Sequence, residues 1–260
     1  AEIDHTVRDA NRFSSLDDDD NGGSAFAFEA VSPRWFGGDD EGLFLRGRAE
    51  RIEERFFALG RLRAPFFYQA WNLQADARSS TEDYADLGAE WTSDTRRLDA
   101  SWQFLRREGS YRGQRLTSTG DGQLLGPFAF RHAVAAMRAD REDGGTSDRD
   151  DRRLRLQWGR SGFVPFVEGR TERFEDRRPT AERGYRSETV ETGIEWSGRG
   201  RVAWSHEVAD SLRADGFGFA RDVSQVRARG GVGGAGSRVD VDLTWRTTEL
   251  PDDLEETTRL

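Results

Sequence analysis

The chain has 260 residues, of which 48 are acidic and 39 basic, giving a formal charge of −9, and every basic residue is Arg. The Arg residues are interleaved with Asp and Glu along the whole chain, which argues against a nucleic-acid groove. With no Cys there are no disulfides, thiolate metal sites or thiol nucleophiles, and no apolar run approaches the roughly 20 residues of a membrane helix.

Residues 1–23 read as a polar, acidic N-terminal segment, starting at Ala1 without a signal-peptide pattern, as a mature or excised form would. Within it, Asp17, Asp19 and Asn21, followed by the turn residue Gly22, match the first half of a calcium loop, with oxygen ligands at alternate positions. The second half fails, because the twelfth position is Phe28 and Glu29 falls one residue late. This makes a weak calcium candidate beside the plainer reading of a solvated acidic turn. No other cofactor is indicated.

From 24 to 248 the dominant regularity is period two, the signature of strands with unlike faces. The first strands are expected at about 24–31 and 42–58. In FFYQAWNLQADAR, Phe67, Trp71 and Leu73 alternate with Tyr68, Asn72 and Gln74. In YADLGAEWT, Leu87 and Trp91 oppose Asp86 and Glu90, and in RLDASWQFL, Leu98 and Trp102 oppose Asp99 and Gln103. Trp91 and Trp158 both precede short turns, which the strand count puts at opposite ends, so an extra strand is expected within 109–126. Further strands follow at about 127–140, in RRLRLQW, at 163–174, 185–196, 201–210 and 217–229, and in RVDVDLTWR. The segment AVAAM at 133–137 is the best helix candidate, yet it sits inside an alternating run. Short links are expected at 92–95, 159–162 and 197–200, longer polar links at 141–151 and 175–184, and GGVGGAGS at 230–237 reads as a flexible turn. The sum is an all-β, antiparallel up-and-down meander of about twelve strands, with a polar tail at 249–260.

One row of each strand is apolar and Trp-flanked: Trp71, Leu87, Trp91, Trp102, Leu156, Trp158, Ile194, Trp196, Trp204 and Trp245. The other row carries both signs of charge: Arg46, Arg48, Glu50, Asp99, Arg153, Arg155, Glu168, Arg170, Asp240, Asp242 and Arg246. A half-buried soluble sheet also alternates. Aromatic residues near strand ends and small residues scattered along the apolar row favour lipid on that side. Strands in lipid must close into a barrel, since an open edge finds no water there.

In the runs LGAEW, RLDASW, RLRLQW, TGIEW and VDVDLTW the chain resembles bacterial outer-membrane β-barrels over roughly 40–247. The resemblance implies a transmembrane barrel in a Gram-negative outer membrane, with the apolar row toward lipid and the charged row lining a lumen. The implied role is a passive, porin-like pore or a surface anchor without catalysis, meeting membrane lipid and either small polar solutes or a protein partner. The ending PDDLEETTRL departs from the terminal aromatic residue usual in such barrels, as a segment of a larger surface protein would. The alternative is a soluble or cell-surface β-sheet domain of a larger secreted protein that binds a glycan or protein through its charged face. The three histidines, His5, His132 and His206, have no metal-ligand spacing, and no nucleophile motif stands out.

Overall fold

The computed structural model describes residues 2–7, 22–35, 41–56, 67–73, 80–159, 162–179, 181–196, 200–213, 216–234 and 237–251. Among these residues it is all-β apart from one short helix. The strands are β1 (Glu2–Val7), β2 (Gly22–Val31), β3 (Gly42–Ile52), β4 (Glu82–Ser93), β5 (Arg96–Arg107), β6 (Tyr111–Leu125) and β7 (Phe128–Arg141). They continue as β8 (Thr146–Trp158), β9 (Phe163–Arg178), β10 (Ala181–Trp196), β11 (Gly200–Arg213), β12 (Gly216–Gly234) and β13 (Ser237–Glu249), with helix α1 (Phe67–Ala70) between β3 and β4. All thirteen strands lie in one sheet in chain order, and each pairs antiparallel with its neighbours. Among the described residues β1 and β13 are the two edges and are not paired with each other.

The expected alternation is present, with corrections. The expected meander of about twelve antiparallel strands is present as thirteen: the extra strand of 109–126 is β6, β1 adds another inside the N-terminal polar segment, and the strand expected in FFYQAWNLQADAR gives way to a helical turn. The strand expected at 42–58 stops at Ile52. The links expected at 141–151 and 175–184 are largely strand, since β8 starts at Thr146, β9 runs to Arg178 and β10 resumes at Ala181. The glycine run read as a turn at 230–237 continues β12 to Gly234, and β13 begins at Ser237. Polar residues look like loop when their pairing partners are unknown. Here they are paired in register, with Asp150 opposite Arg173 and Arg183 opposite Asp176.

The largest correction concerns FFYQAWNLQADAR. Phe67–Ala70 is a helical turn, not a strand, and residues 74–79 lie outside the described set. The turn closes with the Asn72 N–H donating to Gln69 O (3.1 Å) and the Leu73 N–H to Tyr68 O (2.8 Å). This is a helix-ending pair of bonds that needs a left-handed residue. Asn72, with φ of 51°, supplies it; Asn adopts that region more readily than most residues.

The two faces of the sheet have opposite chemistry. The outer face leaves Leu87 58%, Trp158 58%, Leu243 64% and Trp245 61% exposed. Around its turn end aromatic rings pair between strands, Phe128 stacked on Trp158 at 5.8 Å and Phe163 beside Trp196 at 6.4 Å. The inner face carries α1 and most of the ion pairs.

The apolar band does not follow the hydrogen-bond rows; it slides across them. Starting at Trp91, the last apolar outward residue of β4 before its turn, one row runs through Leu98, Gly120, His132, Leu154, Gly169, Val190, His206 and Ser224. It ends at Thr247 of β13, past Trp245 and beyond the opposite edge of the band. With strands ~4.8 Å apart and ~3.3 Å per residue, a slide of about eight residues over these nine strand steps tilts the strands roughly 30° from the band's normal. Beyond the band the strands continue as polar extensions, and β9 and β10 reach 16 residues each.

Candidate functional site

The inner face is built from the side chains that alternate with the apolar band, and its ion pairs reach across strands. Arg46 of β3 crosses β4 to Asp99 of β5 in a two-pronged contact, Nη1 to Oδ2 at 2.5 Å and Nη2 to Oδ1 at 3.1 Å. Gly88 makes this possible, because a Cβ there would sit 2.6 Å from Arg46 Nε. Arg153 and Glu168 form a second fork at 2.7 and 3.0 Å. Such planar guanidinium–carboxylate pairs are the strong, geometrically specific kind. Arg155 of β8 donates to Glu195 of β10 at 2.8 Å. Its guanidinium and that of Arg201 lie over the Phe166 ring, 4.1 and 4.7 Å from its centroid, the distance of a cation–π contact. Arg201 also pairs with Glu191 and, at 3.4 Å, with Glu195. Beside this network is a cavity of about 410 Å³ whose lining includes Arg97, Asp99, Asp121, Arg131, Arg153 and Arg155.

Toward the other end of the strands the inner face is filled by the segment around α1. Trp71, expected on the lipid side, is instead 1% exposed. It packs with Tyr84, Leu105, Tyr111, Met137 and Ala139, against which Phe67, Ala70 and Leu73 also rest. Hydrogen bonds pin the segment to three strands. Tyr111 Oη donates to Trp71 O (2.7 Å), Arg141 Nη2 to Asn72 O (3.1 Å), and Asn72 Nδ2 to Ser147 Oγ (2.9 Å). A buried ion pair, Arg107–Glu82 at 3.2 Å, flanks it, with the Arg107 guanidinium 4.8 Å from the Tyr68 ring centroid. On the far side Asp176, fully buried, collects Arg141 (2.5 Å), Arg178 (3.1 Å) and Arg183 (3.0 Å). A buried carboxylate needs that many donors to offset its lost hydration.

Small inward residues make room for this insertion. At Gly113 a Cβ would lie 2.7 Å from Tyr111 Oη and 3.0 Å from the Trp71 ring, and the next positions along the row are Ala139 and Ser147. Gly113→Leu is therefore expected to push the segment off the sheet, at a cost of about 1–3 kcal/mol for overpacking. Faster cleavage of the 53–81 link by a protease added to the folded chain is the readout; an unchanged rate would mean that the segment is held without this shelf.

No known family, curated protein or solved structure matches the chain. The site therefore rests on its own geometry.

Of the expected charged row, Arg46, Asp99, Arg153, Arg155 and Glu168 belong to the inner network just described. Arg48 pairs with Glu50, which is buried, and Arg170 pairs with Glu172 and, at 3.5 Å, with Asp151. Asp242 accepts from Arg229 at 2.7 Å, Arg246 stands opposite Gln225, and Asp240 stands opposite Gly231, its side chain being outside the described set. Of the expected apolar row, Leu87, Trp102, Leu156, Trp158, Ile194, Trp204 and Trp245 are exposed on the outer face, and Trp91 and Trp196 share that face half-buried. The calcium candidates Asp17, Asp19 and Asn21 lie outside the described residues. Among the described residues no three His, Cys, Asp or Glu side chains converge as a metal site requires.

Sequence reasoning did not single out Glu195, Arg201, Phe166, Glu82, Arg107, Arg141 or Asp176. For several of these the signal was available: Glu195 shares parity with Glu191, and Phe166 with Glu168. For Asp176 it was hidden, because EDRRPTAERG reads as loop.

Proposed function

We propose that the chain forms the wall of an outer-membrane β-barrel of a Gram-negative bacterium. In this reading it acts as a passive pore for small polar solutes, narrowed on one side by the inserted Phe67–Leu73 segment. The observation that carries the reading is the inside-out distribution of side chains. A sheet folded in water does not place its Leu and Trp rows outward and its Arg and Glu rows inward, because burying the apolar rows is what drives folding there. Lipid tails reverse that preference.

Two further observations support it. The outer band is bounded at its turn end by Trp and Phe pairs, where an aromatic girdle is expected. Its slide across the register gives a strand tilt near the roughly 35–45° of transmembrane barrels. The inner charges are largely paired with opposite ones, so the passage would show little preference between small anions and cations.

The test is refolding of the full chain into detergent micelles beside an aqueous control, followed by gel migration before and after boiling. Folding only in micelles, with faster migration before boiling, is the expected outcome, and bilayer recordings should then give a reversal potential close to zero under a salt gradient. A monodisperse fold in plain buffer would sink the proposal and turn attention to the charged face as a binding surface of a soluble sheet.

A further inference from the structure

The outer face holds a charge arrangement that its ion pairs do not account for. Arg106 of β5 and Arg112 of β6 stand directly opposite each other in the register, both exposed, and like charges so placed repel. Among the described residues neither forms an ion pair; Arg112 lies 5.8 Å from the Phe104 ring centroid. Asp83, opposite Arg106 on the β4 side, is engaged by Arg51 at 3.3 Å. Asp140 stands opposite Arg112 on the β7 side and, like Asp148 opposite Arg138, is an acid with which a bound anion would have to contend. Arg138, one row closer to the apolar band, is a distant 4.0 Å from Asp148.

These three cations sit where the band ends. Immediately on its apolar side is an outer cavity of about 440 Å³, with Trp102, Leu116 and Ala136 in its lining and Gln114 and Arg138 at the polar end. Of the three acids in its lining, Asp148 faces Arg138 at 4.0 Å, Asp150 is engaged by Arg152 at 2.6 Å and Glu175 by Arg173 and Arg177.

We infer that this patch seats a membrane lipid whose headgroup ends in phosphate. The phosphate sits among Arg106, Arg112 and Arg138, and an acyl chain lies along Trp102, Leu116 and Ala136. Guanidinium forks match phosphate oxygens in pairs, and a phosphate between Arg106 and Arg112 removes their repulsion. The inference rests on the membrane reading above.

The test refolds the full chain into vesicles of phosphatidylcholine containing a minor share of phosphatidic acid. Each lipid in turn carries brominated acyl chains, and the Trp102 signal is taken as the difference from Trp102→Phe. Brominated phosphatidic acid should quench Trp102 more than an equal amount of brominated phosphatidylcholine. The double variant Arg106→Gln/Arg112→Gln should weaken that preference about thirtyfold in apparent affinity, the size expected for two surface cations. Equal quenching by both lipids, or a preference that survives in the double variant, overturns the site alone. Full reversal by inorganic phosphate assigns the arginines to a free anion and overturns the lipid. Quenching by neither lipid overturns the membrane reading and the site with it.

Discussion

Replacing Leu156 with Arg should cost about 2–4 kcal/mol of folding free energy in a bilayer, the depth-dependent penalty for a cation on the lipid face of a barrel near the midplane. Leu156 is the middle of three outward apolar residues on β8, between Leu154 and Trp158, and is 37% exposed. In water the same substitution at so exposed a position should fall within about 0.5 kcal/mol, so one variant separates the two solvents. Denaturant titration of the vesicle-refolded chain gives the number. A change below about 1 kcal/mol would count against lipid on this face, while a comparable loss for Leu87→Arg would extend the conclusion to β4.

Trp71→Ala tests the other side of the sheet. Truncating so fully buried an indole should cost about 3–5 kcal/mol, comparable to or above the loss expected for Leu156→Arg. If the passage runs along the inner face, the same variant should also raise single-channel conductance, because the side chain that anchors Phe67–Leu73 among Tyr84, Leu105 and Tyr111 is gone. The stability loss with unchanged conductance would place ion flow elsewhere and leave the segment a purely structural role. Tyr111→Phe separates the contributions further. It removes only the hydrogen bond to Trp71 O and should cost about 1–3 kcal/mol, the penalty for leaving a buried carbonyl unsatisfied.

The strands were legible because each face meets one environment over a long stretch, so Leu87, Ala89 and Trp91 repeat at period two without interruption. What misled was the short helical turn. Phe67, Ala70 and Trp71 have the i, i+3, i+4 spacing of a helix face, but within four residues that spacing and alternation overlap, and Phe67, Trp71 and Leu73 satisfy both. The deciding information was not local: the accommodating positions, Gly113, Ala139 and Ser147, lie on three other strands. The polar strand ends were illegible for a related reason. Arg173, Glu175 and Arg177 form strand because Arg and Glu satisfy one another between neighbouring positions, and that pairing has no hydrophobic signature. Parity alone puts Arg46, Asp99, Arg153, Arg155 and Glu168 on one face, whereas the reach of Arg46 across β4 to Asp99 depends on Gly88, which alternation does not encode.

The strand count has a directional consequence. In an antiparallel meander, odd-numbered strands all run the same way, so β1 and β13 point in the same direction. Twelve junctions have the perpendicular, alternately spaced bonds of antiparallel pairs; a junction made directly between these two edges would be parallel, with evenly spaced and slanted bonds. It would also be short, since β1 offers 6 residues against the 13 of β13. An antiparallel seam at both edges would require an odd number of added strands. The two forms of seam differ in a measurable way: Cys substituted at Asp4 and at successive β13 positions in this cysteine-free chain would cross-link in parallel order in one and not at all in the other.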